Sequence, residues 1–145
     1  MGLLMSQASA DDQPTPPPRP SQLLRVLVVD DLPDAAAGLA RLLKLLDCEV
    51  ETAHDGPAAI AKAQAFSPDI VLLDIGLPGM DGYGVAKELR SRACASAALI
   101  VAVSGYGHQA ARDQAIAAGC NQHVLKPIGI TELEAILAQR RKDSV

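Results

Sequence analysis

The sequence predicts an α/β fold: a doubly wound, five-stranded parallel sheet with helices on both faces. Three observations predict it. Strand-like and helix-like patterns alternate five times from about Leu24 onward. Such alternation builds right-handed βαβ units, which demand a parallel sheet. The best of the strand-like runs are apolar on consecutive residues, as strands covered on both faces are. Finally, four runs end on a polar residue: Leu27-Val28-Val29 on Asp30-Asp31, Ile70-Val71-Leu72-Leu73 on Asp74, Leu99 to Val103 on Ser104, and Val124-Leu125 on Lys126-Pro127.

The elements follow in order. The first strand covers about Arg25 to Asp30. The first helix runs from Pro33, tolerated in the first turn because its missing N–H has no partner there, to Leu46. Ala35, Leu39, Leu42, Leu43 and Leu46 recur at helical spacing and mark its inner face. The second strand, Glu49 to Thr52, is short and alternating, which suits a sheet edge. The second helix, Pro57 to Phe66, has Asp55 as its cap and stops before Pro68. Strand three is Asp69 to Asp74. Pro78-Gly79 marks a turn, and Asp81 caps a third helix ending near Arg90. Strand four is Ala98 to Val103. Helix four, Gln109 to Ala118, ends at Gly119, a residue suited to the left-handed stop. Strand five is Gln122 to Leu125. Thr131 and Glu134 form a capping-box pattern for helix five, with Leu133, Ile136 and Leu137 inward.

Composition narrows the class. The chain has 145 residues, enough for one domain with a real core. Residues 1–23 are rich in Ser, Gln, Ala, Asp and Pro, and Pro16-Pro17-Pro18 lies among them. Such a stretch buries too little apolar surface to offset its ordering entropy and reads as a disordered tail or linker, leaving residues 24–142 as the domain. The net charge of -4 argues against direct nucleic-acid binding, which needs a basic surface. No apolar run is long enough to insert in a membrane, and the first residues lack the basic region of a signal peptide. Cys48, Cys94 and Cys120 are widely spaced and odd in number, so they imply free thiols in a reducing, cytoplasmic setting rather than a disulfide framework or a metal knuckle.

The polar strand ends carry the chemistry. Ligands of open parallel sheets bind outside the carboxyl ends of the strands. If the four runs are neighbours, three carboxylates, a hydroxyl and an ammonium meet there. Crowded carboxylates repel unless a cation sits among them, and Mg2+ takes oxygen ligands while keeping several waters. Lys126 can bring a second positive charge to Asp74. A carboxylate held this way can attack phosphorus and form an acyl phosphate. Each residue alone has a plain reading, as a helix cap, a turn residue or an exposed lysine. Their order at consecutive strand ends makes those readings improbable together.

On these residues the chain resembles the receiver domain of two-component response regulators, from about Leu24 to Arg141. The motifs are Val28-Val29-Asp30-Asp31, Leu72 through Gly82, Val103-Ser104-Gly105-Tyr106, Ala118-Gly119 and Lys126-Pro127. The resemblance implies a flavodoxin-like (βα)5 receiver fold and a phosphorylation-dependent switch. By it, Asp74 is the phosphoacceptor, and Asp30, Asp31, Asp74 and the Gly76 backbone carbonyl hold Mg2+ (or Mn2+). Ser104 is the switch hydroxyl, Lys126 contacts the phosphoryl group, and the Lys126-Pro127 bond is cis. The implied phosphodonor is a histidine kinase or a histidine phosphotransfer protein. The responding surface, for a homodimer or a target, is helix 4, strand 5 and helix 5. Such a domain catalyses its own phosphoryl transfer; the chain reads as a stand-alone regulator or as part of a hybrid histidine kinase. One position departs from the family pattern. Where Tyr or Phe is usual, three residues before the lysine, stands His123, either a polar switch residue or a plain surface histidine.

Competing readings fail on spacing. Gly105-x-Gly107-x-x-Ala110 fits a dinucleotide fingerprint in form, but it follows strand four and Leu125 stands where an acidic residue is needed. A haloacid-dehalogenase-like phosphatase would need a second Asp where Gly76 stands. His54 is expected to be exposed and without a role. The remaining alternative is a constitutive interaction module that keeps the fold without using phosphate.

Overall fold

The structure is a computed structural model that describes residues 23–77, 81–93, 95–105 and 109–143. Residues 1–22 of the tail, the Pro78-Gly79 turn, Cys94 and the Tyr106–His108 part of the rejected fingerprint lie outside the described residues. Five strands and five helices alternate: β1 Leu24–Val29, α1 Pro33–Leu45, β2 Cys48–Ala53, α2 Gly56–Phe66, β3 Ile70–Asp74, α3 Gly82–Arg90, β4 Leu99–Ser104, α4 Gln109–Ala117, β5 Gln122–Leu125 and α5 Ile130–Asp143. All pairings are parallel, in the order β2-β1-β3-β4-β5. The flavodoxin-like α/β fold expected from the sequence is therefore the one observed, with β2 at an edge.

Two apolar layers hold it together. On one face, Leu27, Val29, Val71, Leu73, Ile100 and Ala102 meet α2, α3 and α4. On the other, Val26, Val28, Ile70, Leu72, Val101 and Val103 meet α1 and α5. Side chains of one strand alternate between these layers, so the central strands must be apolar throughout. Every residue of β3 and β4 is buried. Among the described residues, no helix is long and apolar enough to cross a membrane.

Local signals mostly hold. Asp55 accepts from the Ala58 N–H at 2.8 Å and Asp81 from the Gly84 N–H at 2.8 Å. Gly119 has φ +105, the left-handed stop that favours glycine. Two details differ. Helix α5 begins two residues earlier than the capping box implied. Gly129 is its cap, Leu133 N–H bonds the Gly129 carbonyl, and Glu132 rather than Glu134 reaches back to the Gly129 N–H at 2.8 Å. Helix α1 is turned so that Ala36, Ala40 and Leu43 are buried, while Leu39 and Leu42 are half-buried and Ala35 is exposed. The small alanines let the helix lie close to the sheet. The larger leucines then border a groove.

Candidate active site

The sheet reverses its winding between β1 and β3, because α1 packs on one face and α2 on the other. The connections that follow these two paired strands leave to opposite faces, and the crevice between them at the carboxyl ends is the place where such folds bind ligands. Asp30 and Asp31 follow β1, and Asp74 ends β3. Among the described residues these three carboxylates form one cluster, with an oxygen from each within 4.8 Å of the others. Asp74 and Asp30 are buried and Asp31 is half-buried.

The surroundings give each carboxylate distinct partners. Lys126 Nζ donates to Asp74 Oδ2 at 3.0 Å and lies 3.6 Å from Asp30 Oδ2. The Gly76 N–H donates to Asp74 Oδ1 at 2.9 Å, and the Leu32 N–H donates to Asp30 Oδ1 at 2.9 Å. Burial works against the charge of Lys126, but the hydrogen bond and negative charge of Asp74, with Asp30 behind it, outweigh that penalty and raise its pKa. One ammonium faces three carboxylates, so the cluster keeps an excess of negative charge. Oxygen donors in that excess suit a hard divalent cation. The donor set therefore fits Mg2+.

Backbone contacts fix the rim. The Ile75 N–H bonds the Val103 carbonyl, tying the residue after Asp74 to β4, and the Lys126 N–H bonds the Ser104 carbonyl at 2.9 Å. The Lys126-Pro127 peptide is cis, as the resemblance implied. Gly82 opens α3 against this rim. A Cβ there would stand 2.5 Å from Ile75 Cα and 2.7 Å from the Asp74 carbonyl oxygen, so only glycine fits. The glycine after Asp81 was visible in the sequence; its reason is the backbone it presses on.

Ser104 and His123 come together. Ala102 pairs with His123 across the β4–β5 ladder, and Ser104 with Leu125. Ser104 and His123 thus share one face, and Ser104 Oγ lies 2.9 Å from His123 Nε2. Ser104 is buried and His123 half-buried. The reading of His123 as a plain surface histidine is not what the structure has. His54 is exposed as expected, yet its Nδ1 lies 3.0 Å from the Asp30 carbonyl. That contact joins two strand ends far apart in the chain, and periodicity has no signal for it.

Known proteins resemble this chain in sequence and fold. Residues 26–138 match the response regulator receiver domain family. Response regulator PleD of Caulobacter vibrioides is 36% identical over 104 residues, which cover 72% of this chain and 23% of PleD. Sensory transduction protein RegX3 of Mycobacterium tuberculosis is 37% identical over 110 residues, 76% of this chain and 47% of RegX3. The chain thus spans less than half the length of these relatives. Among solved structures, chemotaxis protein CheY4 of Vibrio cholerae superposes with a TM-score of 0.76 at 27% identity, covering 81% of this chain and 98% of that one. The receiver domain of a Pseudomonas aeruginosa sensor histidine kinase, solved with a magnesium ion coordinated in its active-site cleft, gives 0.74 at 29% identity over 81% of this chain and 96% of that one. Fold and sequence agree, and the chain belongs to the response regulator receiver domain family.

Proposed function

We propose that this chain is a phosphorylation-dependent signalling switch that takes a phosphoryl group from a phosphohistidine onto Asp74. The donor is a histidine kinase or a histidine phosphotransfer protein. The observation that carries the reading is the Asp74 carboxylate, buried at a strand end, bonded by Lys126 on one oxygen and by the Gly76 N–H on the other.

Chemically, an Asp74 oxygen attacks phosphorus and an O–P bond forms. The N–P bond of the donor breaks, and its electron pair stays on the imidazole nitrogen. Charge spreads over the phosphoryl oxygens in the loose transition state, and positioning with charge neutralisation does most of the work. Lys126 supplies one neutralising charge from within the protein. Asp30, Asp31, Asp74 and the Gly76 carbonyl would hold Mg2+ (or Mn2+), which when bound supplies the other charge. The Ser104 hydroxyl then donates to the new phosphoryl group, leaving its bond to His123.

An apolar groove of about 420 Å³ adjoins Asp30 and Lys126, lined by Leu32, Leu39, Leu42, Val103, Pro127 and Ile128. Leu32 is 58% exposed on its border. A greasy groove beside a charged pocket supports a protein donor, which would cover it during transfer. The test is labelling from a phosphohistidine protein and from a small phosphodonor, with and without Mg2+. Wild type should label only with the metal, and Asp74→Asn should not label. Stoichiometric labelling of Asp74→Asn would sink the assignment.

A further inference from the structure

His54 lies one residue beyond β2, beside the pocket, and no step of the proposed transfer uses it. Its Nδ1 is 3.0 Å from the backbone oxygen of Asp30. A carbonyl only accepts, so Nδ1 carries the proton and donates. We propose that His54 is a positioning residue for the cation site: its ring N–H holds the Asp30-Asp31 peptide in the orientation that aims both carboxylates into the cluster. The proposal rests on the receiver reading and deepens it.

Besides its ion pair with Lys126, Asp30 is held at three points. Its N–H donates to the Ala53 carbonyl at 3.0 Å, continuing the β1–β2 ladder past the Val29–Ala53 pair. Its Oδ1 accepts from the Leu32 N–H at 2.9 Å, closing the turn into α1. Its carbonyl is taken by His54. The β2 strand ends at Ala53 and Asp55 already caps α2, so the imidazole of His54 supplies the next donor along that side of β1. The peptide that follows is planar and trans. Fixing its oxygen fixes the plane, and with it the Cα of Asp31 at the other end. A rotation of that plane would swing Asp31 away from Asp30 and Asp74, whose oxygens it meets within 4.8 Å. The ring itself is exposed, so it contributes little to the core. Its effect should show in the site rather than in the fold. Outer partners of metal sites act in this way, by orienting the ligands.

The experiment is a Mg2+ titration of the full chain by calorimetry, for wild type, His54→Leu and His54→Asn, with thermal melts of the metal-free proteins alongside. Leu keeps bulk but cannot donate. Asn carries its amide nitrogen at the same bond separation from the backbone as Nδ1 and can donate. The expected result is an affinity about 10-fold weaker for His54→Leu, near wild type for His54→Asn, with matching metal-free melts. Wild-type affinity in His54→Leu, or an Asn variant as weak as the Leu variant, overturns the proposal while leaving the receiver reading intact. Wild type that binds no Mg2+ overturns both.

Discussion

Three residues show how narrowly this molecule is packed. A Cβ at Gly82 would meet the backbone of Ile75 and the Asp74 carbonyl, which cannot move aside as a flexible side chain could. Gly82→Ala should cost about 1–3 kcal/mol of stability, the usual range for overpacking, and should slow phosphorylation by displacing Asp74. Melts and labelling rates measure the two effects. Lys126 is a second case. Its folded pKa is raised above 10.5 by Asp74 and Asp30 against the opposing effect of burial. A raised pKa means the charged form is favoured in the folded state, so its contribution is complete below 10.5 and fades as pH rises through the raised value. The stability gap between wild type and Lys126→Met should stay constant across neutral pH and close only in strong alkali. A gap that closed near pH 7 would contradict the pairing. Cys120 is the third. Burial pushes its thiol up to about 11, against a smaller opposing effect from Arg90, so it should resist maleimide in the native protein and react only on unfolding.

At the scale of elements, docking strength is uneven. Helix α5 buries Leu133, Ile136 and Leu137 and has a defined cap at Gly129. Glu132→Ala should cost about 1 kcal/mol, since it removes that cap's side-chain bond. Helix α4 is different. Its buried residues are Ala111 and Ala115, and Ile116, its largest apolar side chain, is 54% exposed. Alanines remove little apolar area from water, at about 25 cal/mol per Å², so α4 is weakly held. Weakly held elements are the ones that move in switching. Ser104 precedes α4 in the chain and bonds His123 on β5. Drawing Ser104 toward a phosphoryl group would break that bond and loosen the α4–β5–α5 surface. Hydrogen exchange with a phosphoryl mimic should therefore change in α4 and β5 and leave β1 and β3 unchanged. Unaltered exchange in α4 and β5 with the pocket occupied would favour a constitutive module over a switch. In contrast, α3 is tied down by Arg90, which donates to the Gly119, Ser96 and Ala98 carbonyls.

Across the whole molecule, like-charge repulsion in the acidic cluster should oppose folding when no cation is present. Three carboxylates lie within 4.8 Å of one another, and the lysine beside them pairs with Asp30 and Asp74. Removing one charge should relieve the repulsion, so metal-free Asp31→Asn should melt higher than wild type. The same change removes a ligand, so Mg2+ should raise the melting temperature of wild type and leave that of Asp31→Asn nearly unaltered. A ligand that binds only the folded state stabilises it by RT ln(1 + [L]/Kd), about 2.7 kcal/mol at a hundredfold excess over Kd. Chelation should reverse the effect. Equal responses of both proteins to Mg2+ would remove Asp31 from the metal site.

Sequence alone determined the element order, the parallel sheet and the identity of the strand-end residues. These are local or periodic properties. A short apolar run such as Ile70–Leu73, bounded by Pro68 and Asp74, reads as a strand buried on both faces, and the residue that ends it lies at the sheet's carboxyl end whatever the strand order. Caps such as Asp55 and Asp81 were legible because a cap bonds within a few residues of itself. Tertiary structure decided everything that depends on which strand end lies beside which. The Lys126–Asp74 bond, the Ser104–His123 bond and the His54–Asp30 bond join residues 52, 19 and 24 positions apart. The motif order pointed to the first; no spacing pointed to the other two. The rotation of α1 and the start of α5 were decided the same way. Hydrophobic periodicity marks a face to within a residue or so, and close packing of Ala36 and Ala40 against the sheet, or the reach of Glu132 to Gly129, selects among the neighbours. Those choices follow from volumes and distances between segments, which a one-dimensional pattern does not contain.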